Sequence, residues 1–254
     1  MIMPALAGPD FPSRLPRLLG WVNGRQGVTV LKAKPQARRH AVGALPEHEV
    51  IRWIQNVPDW DGRLPTVLVA AGAREQRRNL LRSLVAKAIE IGPALVEIAH
   101  PKNRPPAITR PVGSGLTVSS AGRGDLSALG LARSPLGVDL ELVEPSGEIP
   151  WRVLHPGEVA FLARLHGEAQ ARAFARLWSL KEAYSKALRL GLAREPTSFG
   201  VRFLDEETAA IDDPVEQGAV IDARTAWRPV GADWTAVSAV VLDSVPRRVG
   251  RQDV

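Results

Sequence analysis

Apolar and polar residues alternate over Leu136–Leu142, with Leu136, Val138, Leu140 and Leu142 on one side and Gly137, Asp139 and Glu141 on the other. A period of two predicts a strand with one buried face. Two strand-like runs precede it, Leu116–Ala121 and Asp125–Ala132, separated by Gly- or Pro-containing turns, so a second sheet is predicted to begin here. Between Arg74 and Ile91 the period becomes helical: Leu81, Leu84, Val85 and Ala88 form one stripe, with Arg77, Arg78 and Lys87 elsewhere. A further helical stretch is predicted from about Pro156 to Leu190, broken near Gly167, and Trp234–Leu242 reads as a late strand. Residues 101–115, PKNRPPAITRPVGSG, are too dense in Pro and Gly for a helix or a central strand and read as a linker or a ligand-facing loop.

These elements predict an α+β chain of two halves meeting near the 101–115 loop. Residues 1–20 form an irregular tail, 21–110 an N-terminal α+β half, 111–243 a C-terminal α+β half that carries the chemistry, and 244–254 a second tail.

Composition narrows the chemistry. A chain of 254 residues, 45% hydrophobic and 24% charged, has the balance of a soluble globular protein. With no cysteine, disulfides, thiolate nucleophiles and zinc–thiolate sites are excluded, and a metal would be held by oxygen or imidazole, which favours a hard ion such as Mg2+. The Pro-rich start lacks an uninterrupted apolar stretch, which predicts a cytoplasmic protein with no membrane anchor. The formal charge of +6 suits an acidic partner: nucleic acid, a phosphorylated cofactor or an acidic protein. A single tyrosine and five phenylalanines give little material for base stacking, which argues against nucleic acid.

Two segments carry candidate catalytic groups. In the 136–142 strand, Asp139 and Glu141 lie roughly 6.6 Å apart along one face, close enough for both carboxylates to reach one cation. Like charges so placed repel unless a cation lies between them; a solvated acidic face is the plainer reading of the same pattern. In Leu177–Lys186, Leu177, Leu180, Tyr184, Ala187 and Leu188 form a buried helical stripe, while Trp178, Glu182 and Lys186 stack four apart on another. That second stripe is either a functional row or an exposed face with a Glu–Lys pair. Trp178 reads as a packing residue, and Glu158 as either an acid supporting the site or a first-turn residue favoured by the helix dipole.

Taken jointly, GVDLE at 137–141 and WSLKEAYSK at 178–186 resemble the signature of the Sfp-type 4'-phosphopantetheinyl transferases, a G-V-D-x-E strand followed by a W-S-x-K-E-A-x-x-K helix. HPGE at 155–158, FGV at 199–201 and WTAVSAVVL at 234–242 resemble further parts of that family, and the likeness extends from about Leu116 to Leu242. Residues 77–89 resemble the family's Arg- and Leu-rich helix. The resemblance implies a fold of two similar α+β halves packed as a pseudo-dimer, commonly monomeric. It implies transfer of the 4'-phosphopantetheine arm of coenzyme A to a serine of an apo acyl or peptidyl carrier protein, with release of 3',5'-ADP. Asp139, Glu141 and Glu182 would bind Mg2+; Glu182 would also take the serine proton; Lys186 and Lys181 would hold phosphate oxygens; Arg104, Ser119 and Ser120 would face the adenosine and its 3'-phosphate. Two features depart from the pattern: Ser120 stands where the family has a phosphate-contacting histidine, and Arg189 stands in the Gly-containing helix ending. A serine can hydrogen-bond phosphate without adding charge, which leaves a degenerate homologue that binds without transfer as the rival reading.

Overall fold

The computed structural model describes residues 50–72, 74–101, 105–189, 194–216, 219–231 and 233–243. Strands β1 (Arg52–Ile54) and β2 (Thr66–Ala71) lead into helix α1 (Arg74–Ala88) and a two-stranded ribbon of β3 (Glu97–Ala99) and β4 (Ala107–Arg110). Strands β5 (Thr117–Arg123) and β6 (Leu126–Ala132) then complete a four-stranded sheet of order β1-β2-β6-β5. Strand β7 (Leu136–Leu142), helices α2 (Pro156–Leu162) and α3 (Gly167–Leu188), a ribbon of β8 (Gly200–Phe203) and β9 (Ala209–Asp212), and the long hairpin β10 (Val220–Val230) and β11 (Asp233–Leu242) follow. The second sheet has the order β10-β11-β7 and is antiparallel throughout. The α+β class read from the sequence is the class observed.

The strand runs at 116–132 do not open the second sheet as their position along the chain suggests. They join the first sheet, β6 pairing with β2 and β5 with β6, and the chain passes to the second sheet only between Ala132 and Leu136. The reason lies in burial. Leu81, Leu84 and Val85 on α1 need an apolar floor, and Val118, Leu129 and Leu131 supply it beside Leu68. The opposite faces of the two sheets share a second core, with Leu136, Val138 and Leu140 of β7 against Val67, Ala121 and Ala128. Gly130 permits that approach: a Cβ there would lie 2.6 Å from Leu136 and 2.7 Å from Val138.

Helix α3 covers the other face of the second sheet. Leu177, Leu180, Tyr184, Ala187 and Leu188 are all buried, as the helical stripe predicted, and they pack with Phe199, Val240 and Leu242. Hydroxyls fasten the helix down, with Ser179 2.6 Å from Ser238 and Ser238 2.9 Å from Thr225. The predicted break separates α2 from α3, and Gly167 opens α3 at φ +57, a conformation glycine adopts without strain. Arg189 ends the helix in the left-handed conformation, φ 56, at the position where the family resemblance expects a glycine.

Candidate active site

Among the described strands, β7 is an edge strand paired with β11 alone, so its second edge needs other partners. Ser119 Oγ accepts from the Val138 N–H at 3.0 Å, and Lys186 Nζ donates to the Val138 carbonyl at 3.2 Å. The unpaired edge is thus closed by one side chain from β5 and one from α3. On the α3 side, Gly137 sets how near the helix comes. A Cβ at that residue would stand 1.8 Å from the Ala183 carbonyl oxygen and 2.6 Å from the Ala187 nitrogen. Only glycine lets the two backbones touch, which brings Glu182 and Lys186 over the carboxylates of the strand.

Asp139 is 7% exposed. Its Oδ1 accepts from Lys186 Nζ at 2.6 Å, whereas Oδ2 is buried and has no hydrogen-bond partner among the described residues. An unpartnered carboxylate oxygen in the interior is costly. Burial pushes this carboxyl above the usual aspartate range against the pull of Lys186. Glu141 turns to Arg123, and the other arm of that guanidinium reaches Glu144 at 2.8 Å. Burial, with added repulsion from Asp139 and Glu182, holds Glu141 up at about 7 despite Arg123. Glu182 is raised for the same reasons, burial first and the Asp139 charge second. Burial thus raises all three carboxyls, and the Asp139 charge adds to the rise at both Glu141 and Glu182, which marks a cluster short of positive charge.

The donor set fits a hard divalent cation. It is all oxygen, it carries excess negative charge, and it contains one buried oxygen with nothing bonded to it. As the side chains stand, no three carboxylates or imidazoles among the described residues enclose a metal position, and Lys186 and Arg123 pair with Asp139 and Glu141 respectively.

Lys181 does not face a ligand. It is 1% exposed, its Nζ lies 2.6 Å from Glu158 Oε1 and 2.8 Å from the Phe199 carbonyl, and it sits over the Phe199 ring. The expected phosphate contact is corrected to a buried ion pair. Glu158 is the other half: its Oε2 accepts from the His155 N–H at 2.8 Å in a capping box that starts α2, and its Oε1 accepts from the Val201 N–H at 2.8 Å. The pair joins α2, α3 and β8 at the residue before Glu182. Trp178 stacks on Phe174 at 6.2 Å and packs against the α3 core, as expected of a packing residue.

The two serines of β5 part company because neighbours on a strand face opposite ways. Ser119 is 2% exposed and is spent on the Val138 N–H, so it does not reach a phosphate. Ser120 looks to the α1 side and lines a pocket of about 130 Å³ with Arg77, Arg78, Leu81 and His100. Arg77 enters through a gap that Gly122 leaves, since a Cβ there would lie 2.0 Å from the guanidinium, and its Nε donates to Ser127 Oγ at 2.9 Å. Arg77 and Arg78, which the helical period sets off the apolar stripe, thus belong to a defined basic pocket together with His100. Arg104 lies outside the described residues. No helix among the described residues is long and apolar enough to cross a membrane.

The sequence model of the 4'-phosphopantetheinyl transferase superfamily matches residues 135–229, from the start of β7 into β10. A 4'-phosphopantetheinyl transferase of Bacillus subtilis is 30% identical over 136 residues, covering 53% of this chain and 60% of its own length. A putative 4'-phosphopantetheinyl transferase of Synechocystis is 28% identical over 152 residues, covering 54% and 61%. The 4'-phosphopantetheinyl transferase Sfp of Bacillus subtilis strain 168 is 26% identical over 136 residues, covering 53% and 60%. The chain thus spans about three fifths of the length of these relatives. The resemblance carried by the two motifs is a resemblance to this superfamily, at modest identity.

Proposed function

We propose that this chain transfers the 4'-phosphopantetheine arm of coenzyme A to a serine of an apo carrier protein, with Mg2+ bound by Asp139, Glu141 and Glu182. The observation that carries the proposal is the buried Oδ2 of Asp139, without a hydrogen-bond partner among the described residues, in a cluster where the Asp139 charge acts on both Glu141 and Glu182. When bound, the ion would offset the charge that builds on the pyrophosphate oxygens as 3',5'-ADP departs. Lys186, 33% exposed and already donating to Asp139, can turn its ammonium to a phosphate oxygen without leaving the site. Glu182 makes no hydrogen bond or ion pair among the described residues, and its raised proton affinity suits it to accept the proton of the carrier serine. The serine oxygen then forms the new bond to phosphorus, the pyrophosphate P–O bond breaks, and the proton ends on Glu182. The Ser120 pocket, with Arg77, Arg78 and His100 around it, would take the 3'-phosphate, and its arginines supply the positive charge that Ser120 lacks.

The test is incubation of the protein with coenzyme A, Mg2+ and several apo carrier proteins, read by mass spectrometry for the added arm. Arm addition by the wild type and its loss in Asp139→Asn and Glu182→Gln are expected. A folded wild type that modifies no carrier, yet binds coenzyme A, would establish the degenerate, binding-only reading instead.

A further inference from the structure

We propose that Arg123 is the counter-ion a divalent cation must displace from Glu141, so that this arginine weakens the cluster's hold on the cation. The proposal rests on the carboxylate reading of the site given above. Arg123 is the last residue of β5 and shares a strand face with Ser119 and Ala121, the face turned to β7. Its guanidinium forks between Glu141 and Glu144, so that one arm neutralises a cluster carboxylate while the other is anchored outside the cluster.

The surroundings assign it a charge role rather than a bracing one. The two strands it joins are already held by the Ser119 to Val138 hydrogen bond and by the Leu136, Val138 and Leu140 core. The Arg123 side chain is 39% exposed, and Glu141 is 19% exposed. A pair so placed adds little to stability. Electrostatically it does more. Asp139 and Glu182 both repel Glu141, and Arg123 is the positive charge in direct contact with it that opposes them. A divalent ion would serve the same carboxylate better, but it cannot share close quarters with a guanidinium without repulsion. Glu144 makes the exchange possible: Arg123 can let go of Glu141 and keep its second partner.

The test is Mg2+ binding by isothermal titration calorimetry at about pH 8, without coenzyme A, on folded protein checked by circular dichroism. Arg123→Gln is expected to bind Mg2+ about fivefold more tightly than the wild type, as loss of a neighbouring positive charge requires. Arg123→Lys keeps the charge but loses the fork, and is expected to lie between the two. A brace would behave the opposite way, so equal or weaker binding by Arg123→Gln overturns the proposal. If Arg123→Gln does not fold, Arg123→Lys decides: tighter binding supports the displacement and equal or weaker binding refutes it. Glu141→Gln separates the two levels. If it binds Mg2+ like the wild type, or if the wild type binds none, the carboxylate reading fails and takes this proposal with it. If Glu141→Gln binds weakly and Arg123→Gln gains nothing, only the Arg123 proposal fails.

Discussion

Replacing Glu141 by glutamine should make the protein more stable in the absence of divalent ions, and only toward neutral and alkaline pH. Glu141 is held at about 7 against an ordinary 4.5. Each pKa unit is worth about 1.4 kcal/mol, so the gap corresponds to roughly 3 kcal/mol. A side chain 19% open to solvent and shared among coupled carboxylates will deliver less, about 1–3 kcal/mol. The sign follows from proton counts. Between 4.5 and about 7 the folded protein keeps a proton that the unfolded chain has lost, so stability falls as pH rises through this window. Below it both states carry the proton, and above it neither does. Glutamine mimics the protonated acid at every pH, so the variant and the wild type should melt together near pH 4. By about pH 8 the variant should melt higher by about 2–12 °C, given 2–4 °C per kcal/mol for a domain of this size. Thermal melts in EDTA across this range provide the measurement. An offset that is the same at all pH values, or absent at pH 8, would refute the claim that burial, with repulsion from Asp139 and Glu182, penalises the ionised Glu141.

Other substitutions probe the frame around the cluster. Gly137→Ala should push α3 off β7, because its Cβ would fall 1.8 Å from the Ala183 oxygen; a loss of about 2–4 kcal/mol by denaturant unfolding is expected. Lys181→Met leaves Glu158 buried and unpaired at 2% exposure and should cost about 3–5 kcal/mol, whereas Lys181→Met with Glu158→Gln should recover part of it. Arg78→Gln should weaken coenzyme A about tenfold in direct binding while leaving the melting temperature unchanged, as loss of one charge-assisted phosphate contact predicts. Ser120→His, which adds a cationic donor to the same pocket, should bind coenzyme A more tightly; weaker binding would mean that Ser120 does not face the phosphate.

What could be read from the sequence was what local periodicity controls. The alternation in 136–142 gave β7 and the face carrying Asp139 and Glu141; the helical stripe gave α3 and the row bearing Glu182 and Lys186. Lys181 was misjudged although a local signal existed: it lies four residues after Leu177 and three before Tyr184, both buried, so the same helical geometry places it inward. Ser119 and Ser120 carried a similar signal, since strand alternation forbids both from facing one ligand. Other features had no local signature. Arg77 and Arg78 look like an ordinary polar helix face until β5 and His100 are brought beside them, and which sheet β5 and β6 join depends on the apolar floor that α1 requires. Strand β10 carries Arg224, Arg228 and Pro229 among its apolar residues, so it shows neither the alternation of β7 nor the Val- and Ala-rich run of β11.

The same contacts that place the carboxylates also explain why their repulsion is tolerated. Glu182 meets Asp139 only because Gly137 lets α3 touch the strand, and α3 is fixed there by its apolar stripe, by Ser179 on Ser238 and by the Lys181–Glu158 pair one residue away. None of these contacts involves the charged cluster itself. The apolar core and the neutral hydroxyl network can therefore supply the stability that the carboxylates subtract, leaving Lys186 and Arg123 as the exchangeable cations between which the cluster's charge is divided. A site built this way should exchange its cations without refolding, since both guanidinium and ammonium groups sit at partly exposed positions, 39% and 33% open to solvent, while the frame beneath them stays closed.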